Sequence, residues 1–86
     1  MYAISYERKA ERELLALPGE VGRRLAAAID ALSQEPRPRG CRKIVGEDRV
    51  YRIRVGRYRV IYEIRDDVLV VVIIRVAKRD DVYRGV

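Results

Sequence analysis

The sequence lacks histidine, phenylalanine, tryptophan, threonine and asparagine, and it contains a single cysteine, Cys41. Without histidine the chain cannot build a Ser-His-Asp triad, a Cys-His nucleophile pair or a histidine-bearing zinc site. One cysteine cannot form an internal disulfide or a cysteine-rich metal cage, so nothing indicates an oxidising compartment. We therefore expect a protein without metal or cofactor that works in the cytoplasm.

Long hydrophobic runs are also absent. The longest apolar run, Val68 to Ile74, has seven residues and ends at Arg75, whereas a membrane-spanning helix needs about 20. The first nine residues alternate between polar and apolar and lack the apolar block of a secretory signal. The sequence therefore predicts no membrane association.

The chain carries an excess of positive charge. Nineteen lysines and arginines against thirteen aspartates and glutamates give a formal net charge of +6, and sixteen of the cations are arginines. Residues 1–35 hold five cations and six anions, whereas residues 36–86 hold fourteen and seven, so the second part carries +7. Such a basic half is typical of a surface that binds a polyanion, although a solvated arginine-rich surface has the same composition.

Length and periodicity predict one α+β domain spanning residues 1–86. The tight break at Pro18-Gly19 favours an antiparallel helical hairpin, and the later strands favour a three- to four-stranded antiparallel sheet packed on it. The first helix has apolar residues at helical spacing, namely Ala10, Leu14 and Leu17. The second helix presents one apolar stripe, formed by Val21, Leu25, Ala28, Ile29 and Leu32. The predicted elements are strand Tyr2–Tyr6, helices Glu7–Leu17 and Glu20–Gln34, and strands Val50–Val55, Arg57–Arg65 and Val68–Ala77.

The alternation within the strands predicts which side chains share a face. In the second long strand Tyr58, Val60, Tyr62 and Ile64 should face the helices, and Arg59 should point away from them. Arg52 and Arg54 likewise share one face of the preceding strand. Arginines aligned in this way suit RNA phosphates, and the competing interpretation is that they serve only solubility and edge protection.

The register of the last hairpin decides what lies beside Arg59. A two-residue turn at Asp66-Asp67 pairs Arg59 with Ile74, whereas a three-residue turn that includes Val68 pairs it with Arg75. We favour the three-residue turn, which gathers Arg52, Arg54, Arg59, Arg75 and Arg79 on one face. Tyr51, Tyr58 and Tyr62 are expected to pack in the core or on the sheet rather than stack on bases.

Two segments together resemble a known family. Val50–Ile64 reads VYRIRVGRYRVIYEI, and after a short turn and an apolar strand Arg75–Tyr83 reads RVAKRDDVY. This combination strongly resembles the RelE/ParE superfamily of bacterial and archaeal toxins, over nearly the whole chain. The resemblance implies a RelE-like fold and favours the RelE branch, whose members are ribosome-dependent endoribonucleases that cut messenger RNA in the A site and inhibit translation.

The resemblance also implies functional residues. The basic pair of the family, where lysines are common, falls on Arg52 and Arg54, and the tail tyrosine falls on Tyr83. The expected catalytic set is Arg52, Arg54, Arg59, Arg79 and Tyr83. Further cations expected to contact RNA are Lys43, Arg57, Arg75 and Lys78.

These residues predict a metal-independent attack of the RNA 2′-hydroxyl on the neighbouring phosphorus. Arg59 and Arg79 would stabilise the phosphorane charge, with Arg79 near the leaving 5′-oxygen. Arginine stays protonated up to a pKa above about 12, which leaves Tyr83, whose pKa nearby guanidiniums should lower, as the candidate base. Chemistry with such weak acid-base groups should depend on the ribosome to shape the substrate.

The implied partners are a cognate acidic RelB-like antitoxin, the ribosome with its messenger RNA, and operator DNA only through the antitoxin complex. A basic half with exposed strand edges fits an acidic antitoxin that wraps the toxin. Two alternatives remain open. One is a ParE-like toxin that inhibits DNA gyrase, and the other is a degenerate toxin that acts only in antitoxin and operator binding.

Overall fold

A computed structural model describes residues 1–78, so Arg79 and Tyr83 lie outside the described residues. Seven elements follow the predicted order, with one short strand added between the helices and the long strands. They are β1 (Ala3–Tyr6), α1 (Arg8–Leu15), α2 (Gly19–Ala31), β2 (Arg42–Lys43), β3 (Val50–Val55), β4 (Tyr58–Arg65) and β5 (Val70–Lys78).

The strands form one five-stranded sheet in the order β1-β5-β4-β3-β2. The four strands that follow the helices pair antiparallel. This confirms the predicted antiparallel sheet of three to four strands, with four strands present. β1 was expected only as a first strand, and it joins the same sheet parallel to β5, with Ala3 opposite Val70. The helical hairpin leads from β1 at one edge of the sheet to β2 at the opposite edge and covers one face of the sheet.

The core lies between the helices and that face. Leu25 and Ile29 of α2 are fully buried against Val60, Tyr62 and Ile64 of β4, and all eight apolar residues predicted for the two helices lie in this cluster or pack against it. Fully burying one aliphatic side chain of this size contributes about 1.5–3 kcal/mol. The predicted helix-facing set of β4 is therefore confirmed, as are the packing roles expected of Tyr51, Tyr58 and Tyr62.

The register predicted for the last hairpin is wrong. The turn has four residues, Asp66 to Leu69, because Arg65 pairs with Val70. A bulge between Ile61 and Tyr62 then shifts the pairing by one further residue, so that Arg59 lies opposite Ala77. Leu69 closes the turn with a φ of 55°, a left-handed conformation that is uncommon for leucine. A glycine at this position would have indicated the turn, but the sequence has none there.

The loop between α2 and β2 is fastened to the helix-facing side of the sheet. The Tyr62 hydroxyl donates a hydrogen bond to the Pro36 carbonyl at 2.7 Å, and the Arg37 guanidinium lies over the Tyr51 ring, 5.2 Å from its centroid. Arg37 also forms a 2.8 Å ion pair with Asp66, which accepts a further hydrogen bond from Tyr2. These contacts tie the loop to the β4–β5 turn and, through Asp66, to Tyr2, the residue that precedes β1.

Candidate nucleic-acid interface

Three of the predicted catalytic residues are neighbours on the sheet face that the helices leave uncovered. Arg54 of β3 lies directly opposite Arg59 of β4, and Arg52 lies two residues along β3. Directly opposite residues in an antiparallel pair project from the same face with Cβ atoms about 4.5–5.5 Å apart. Arg52, Arg54 and Arg59 therefore form one group, called the arginine face below.

The members of the arginine face differ in exposure. Arg54 is exposed and Arg52 is half-buried, whereas Arg59 is only 2% exposed. Burial, followed by the like charges of Arg54 and Arg42, lowers the pKa of Arg52. The two smaller causes place Arg54 and Arg42 close enough to Arg52 for their charges to repel it.

Two further arginines that sequence reasoning missed extend this charge. Arg42 of β2 pairs with Arg52 and so lies on the same face. A concave pocket of about 360 Å³ opens there, called the outer pocket below. Its lining is Arg39, Gly40, Arg42, Arg52, Ile53 and Arg54. The signal that could have revealed it is the run Arg39-Gly-Cys-Arg42 beside the loop prolines, but a two-residue strand is too short to show alternation.

Arg75 does not join the arginine face as predicted. Its Nε donates to both carboxylate oxygens of Glu13 in α1, at 3.3 and 3.0 Å. Glu13 Oε1 also accepts a 2.8 Å hydrogen bond from the backbone N–H of Val76. The bulge in the β4–β5 pairing and this acidic partner together direct the Arg75 guanidinium to α1, where it is neutralised.

The other three cations predicted to contact RNA also lie away from the arginine face. Lys43 pairs with Tyr51 and Lys78 pairs with Tyr58, and both tyrosines belong to the helix-facing side. Arg57 lies in the β3–β4 turn and lines a small apolar pocket with residues of α2. Their contact with RNA stays a prediction, as do the roles of Arg79 and Tyr83 outside the described residues.

The arrangement can bind and polarise phosphate groups. Guanidinium forks donate paired hydrogen bonds to phosphate oxygens, and a fixed cluster of them stabilises the extra negative charge of a pentacovalent phosphorus. Within residues 1–78 no group of three or more acidic or cysteine side chains could hold a metal ion. In the same residues no helix is long and apolar enough to span a membrane.

Comparison with known proteins agrees with this fold. A family described as the ParE toxin of the type II toxin-antitoxin system parDE matches residues 4–83. The toxin RelG of Mycobacterium tuberculosis is 36% identical over 90 residues, which cover 96% of this chain and 97% of RelG. The putative toxin RelE1 of Methanocaldococcus jannaschii is 24% identical over 98% of this chain and 97% of its own length.

Solved structures give the same result. RelE in the RelE-RelB complex of Pyrococcus horikoshii OT3 is 31% identical and superposes with a TM-score of 0.80, covering 91% of this chain and 94% of that one. The isolated RelE toxin of E. coli is 27% identical with a TM-score of 0.81, covering 99% and 94%. Fold, family model and relatives define the class, which is that of toxins from type II toxin-antitoxin systems. The chain belongs to the ParE toxin family within the RelE/ParE superfamily, and its relatives support the RelE-like branch.

Proposed function

We propose that this RelBE-type toxin is a ribosome-dependent endoribonuclease that cleaves messenger RNA and so stops translation. The observation that carries the proposal is the arginine face, in which exposed Arg54, half-buried Arg52 and buried Arg59 lie together on the side of the sheet opposite the helices. These are three of the five positions at which the resemblance to RelE expects catalytic residues. The activity requires ribosomes, so we also propose that the protein acts in the cytoplasm.

The proposed reaction needs three things from the protein: a base for the 2′-hydroxyl proton, donors that stabilise the phosphorane charge, and a group beside the leaving 5′-oxygen. The 2′-oxygen forms a bond to the adjacent phosphorus while the bond to the 5′-oxygen breaks, which leaves a 2′,3′-cyclic phosphate and a 5′-hydroxyl. Arg54, Arg59 and Arg79 would stabilise the charge on the phosphorane, and Arg79 would also lie near the departing 5′-oxygen, which takes its proton from water. Tyr83 is the candidate that accepts the 2′-hydroxyl proton, because guanidiniums do not act as bases near neutral pH.

Mapping messenger cleavage in a translation extract tests the proposal directly. We expect the wild-type protein to cut ribosome-bound messenger much faster than the same RNA free in solution. Arg54→Gln or Arg79→Ala should lower the rate about 10²- to 10³-fold, as expected for the loss of one transition-state donor. Arg12→Ala removes an exposed arginine from α1 and is the matched control. Equal rates on both substrates, or full activity of Arg79→Ala, would refute the mechanism.

A second function is kept because the matching family is described by its ParE member. In that case the arginines would contact a topoisomerase or its DNA, and the target would be DNA gyrase. A plasmid-supercoiling assay with purified gyrase separates the two functions. Inhibition of gyrase without any cleavage of translated messenger would favour the ParE-like function, and toxicity by neither route would favour a degenerate toxin.

The proposed partner is an acidic RelB-like antitoxin. RelE is found with RelB in the solved complexes from Pyrococcus horikoshii and E. coli. The charge of +7 on residues 36–86 supports a partner of opposite sign. Contact with operator DNA is proposed only for the complex with this antitoxin, which would supply the DNA-binding part.

A further inference from the structure

We propose that Arg39 and Arg42, together with Arg52, form a second phosphate-binding subsite in the outer pocket, which holds the RNA backbone beside the arginine face. The inference rests on the proposed function, since it concerns the substrate of that activity. It assigns a role to Arg39 and Arg42, neither of which belongs to the catalytic set expected from the resemblance.

The geometry of the outer pocket fits a backbone phosphate. Arg42, Arg52 and Ile61 form one row across β2, β3 and β4, and Arg54, Arg59 and Ala77 form the next row. Strands lie about 4.8 Å apart and residues two along a strand are about 6.8 Å apart, so Arg42 and Arg59 have backbones roughly 12 Å apart. This separation exceeds one phosphodiester link. The subsite would therefore hold a phosphate at least one nucleotide away from the scissile one.

Within residues 1–78 the arginines that line the outer pocket have no acidic partner. Among residues 1–78 the ion pairs use Arg37, Arg65 and Arg75, and none involves Arg39, Arg42, Arg52 or Arg54. The lowered pKa of Arg52 has Arg54 and Arg42 among its causes, after burial. Folding has therefore brought like charges together without neutralising them, at a cost that a bound anion would remove.

The loop that carries Arg39 is held in place before any ligand arrives. Pro36 accepts the buried hydrogen bond from Tyr62, Arg37 is paired with Asp66, and the Cys41 N–H donates to the Pro38 carbonyl at 3.0 Å. Arg37 is thus used to fix the loop, and Arg39 is exposed beside the pocket. A subsite that is already formed loses less entropy when RNA binds.

The lining favours a phosphate backbone over an acidic protein segment. Ile53 is the one apolar residue in the lining of this pocket, and its side chain is 8% exposed and packs in the core beneath the sheet. A docked peptide would find no surface for its apolar side chains there. Phosphate oxygens need only the guanidinium donors, which this pocket supplies.

Binding of an RNA that cannot be cleaved tests the subsite separately from the chemistry. The probe is a fluorescent octanucleotide with a 2′-O-methyl group on every ribose, measured by anisotropy between 50 and 500 mM salt with the full-length toxin. Each lost phosphate contact should lower the salt slope of log K by about 0.7, so Arg39→Ala/Arg42→Ala should lower it by about 1.4. At 0.15 M salt that corresponds to about tenfold weaker binding. Arg8→Ala/Arg12→Ala on α1 is the charge-matched control and should leave the slope unchanged.

Length dependence provides the second measurement. A dinucleotide competitor spans only the arginine face, so the wild type and Arg39→Ala/Arg42→Ala should bind it equally, whereas only the wild type should gain affinity as the competitor is lengthened. If the double variant matches the wild type in slope and length dependence, the subsite is wrong even where cleavage is confirmed. If it instead loses binding of an acidic antitoxin peptide and keeps RNA binding, the pocket belongs to the antitoxin and the inference is overturned. Absence of messenger cleavage with the binding result intact would overturn the proposed function alone.

Discussion

At the level of single residues, Arg54 and Arg59 face each other across β3 and β4 but differ in exposure. Arg54 is exposed, whereas Arg59 is 2% exposed and has little freedom to move. A lysine can replace the charge of an exposed arginine, but it cannot reproduce a planar guanidinium fork in a closed environment. We expect Arg54→Lys to keep messenger cleavage within about threefold of the wild type and Arg59→Lys to lose about 10²-fold or more. The rates are measured on ribosome-bound messenger, with circular dichroism to confirm folding. Equal losses at the two positions would contradict the distinction.

Asp66 gives a residue-level prediction for pH. Hydrogen bonds from Arg37 and then from Tyr2 hold the pKa of its carboxyl below the ordinary value of 3.8. A lowered pKa means that its stabilising contribution is complete above the ordinary carboxyl pKa and is lost as the pH falls through the lower, folded-state value. We expect Asp66→Asn to be less stable than the wild type at pH 6 and equally stable near pH 2. Urea unfolding across this range measures the difference. Asp67→Asn, the exposed neighbour, should run parallel to the wild type throughout.

At the level of elements, α1 completes the part of the sheet edge that β1 leaves open. The pairing of β1 with β5 ends at Ile73, and beyond it the N–H of Val76 is met by Glu13 of α1 rather than by a strand. A strand edge without a partner leaves backbone N–H groups without hydrogen bonds. A hydrogen bond to a buried N–H contributes more to the free energy of unfolding than an ion pair that is partly open to solvent.

Two substitutions of Glu13 separate the backbone contact from the ion pair. Glu13→Gln keeps an oxygen for the Val76 N–H and removes only the charge opposite Arg75, so we expect a loss of less than about 1 kcal/mol. Glu13→Ala leaves the N–H unmet and should cost about 1–3 kcal/mol. Chemical denaturation measures both, and Glu11→Ala on the exposed side of α1 is the control. If Glu13→Gln and Glu13→Ala lose the same free energy, the ion pair is the dominant contribution and this interpretation fails.

The same elements explain what could be predicted from the sequence. The helix-facing set of β4 was predictable because one face of the strand packs on Leu25 and Ile29 and the other does not. This difference between the faces appears in the sequence as alternation of apolar and polar residues. The position of Arg75 was not, because it depends on a turn closed by a left-handed Leu69, on a bulge at Ile61/Tyr62 and on Glu13, 62 residues away in the chain. None of these leaves a local pattern. Arg42 was missed since a strand of two residues has no periodicity.

For the whole molecule, charge is divided between the N-terminal strand and helices and the remainder of the sheet. Residues 1–35 carry five cations and six anions, and residues 36–86 carry fourteen and seven. In dilute salt the field of such a basic half reaches an acidic partner before contact, and at 0.1 M salt the screening length is about 10 Å. Association with the acidic antitoxin should therefore be steered by charge, whereas dissociation should depend mainly on contacts made after docking.

The rate of complex formation tests this steering. We expect the association rate constant to fall about tenfold or more between 50 and 500 mM salt, while the dissociation rate changes much less. Stopped-flow fluorescence with labelled antitoxin measures both. Arg49→Gln/Arg57→Gln removes two exposed charges from the basic half, and Arg12→Gln/Arg23→Gln removes two from the other half. The first pair should slow association more than the second, because the partner approaches along the field of residues 36–86. Electrostatic steering would be wrong if the association rate did not change with ionic strength, or if both pairs of substitutions slowed it equally. Recognition of the antitoxin would then depend on contacts made after docking, and the charge asymmetry would serve RNA binding alone.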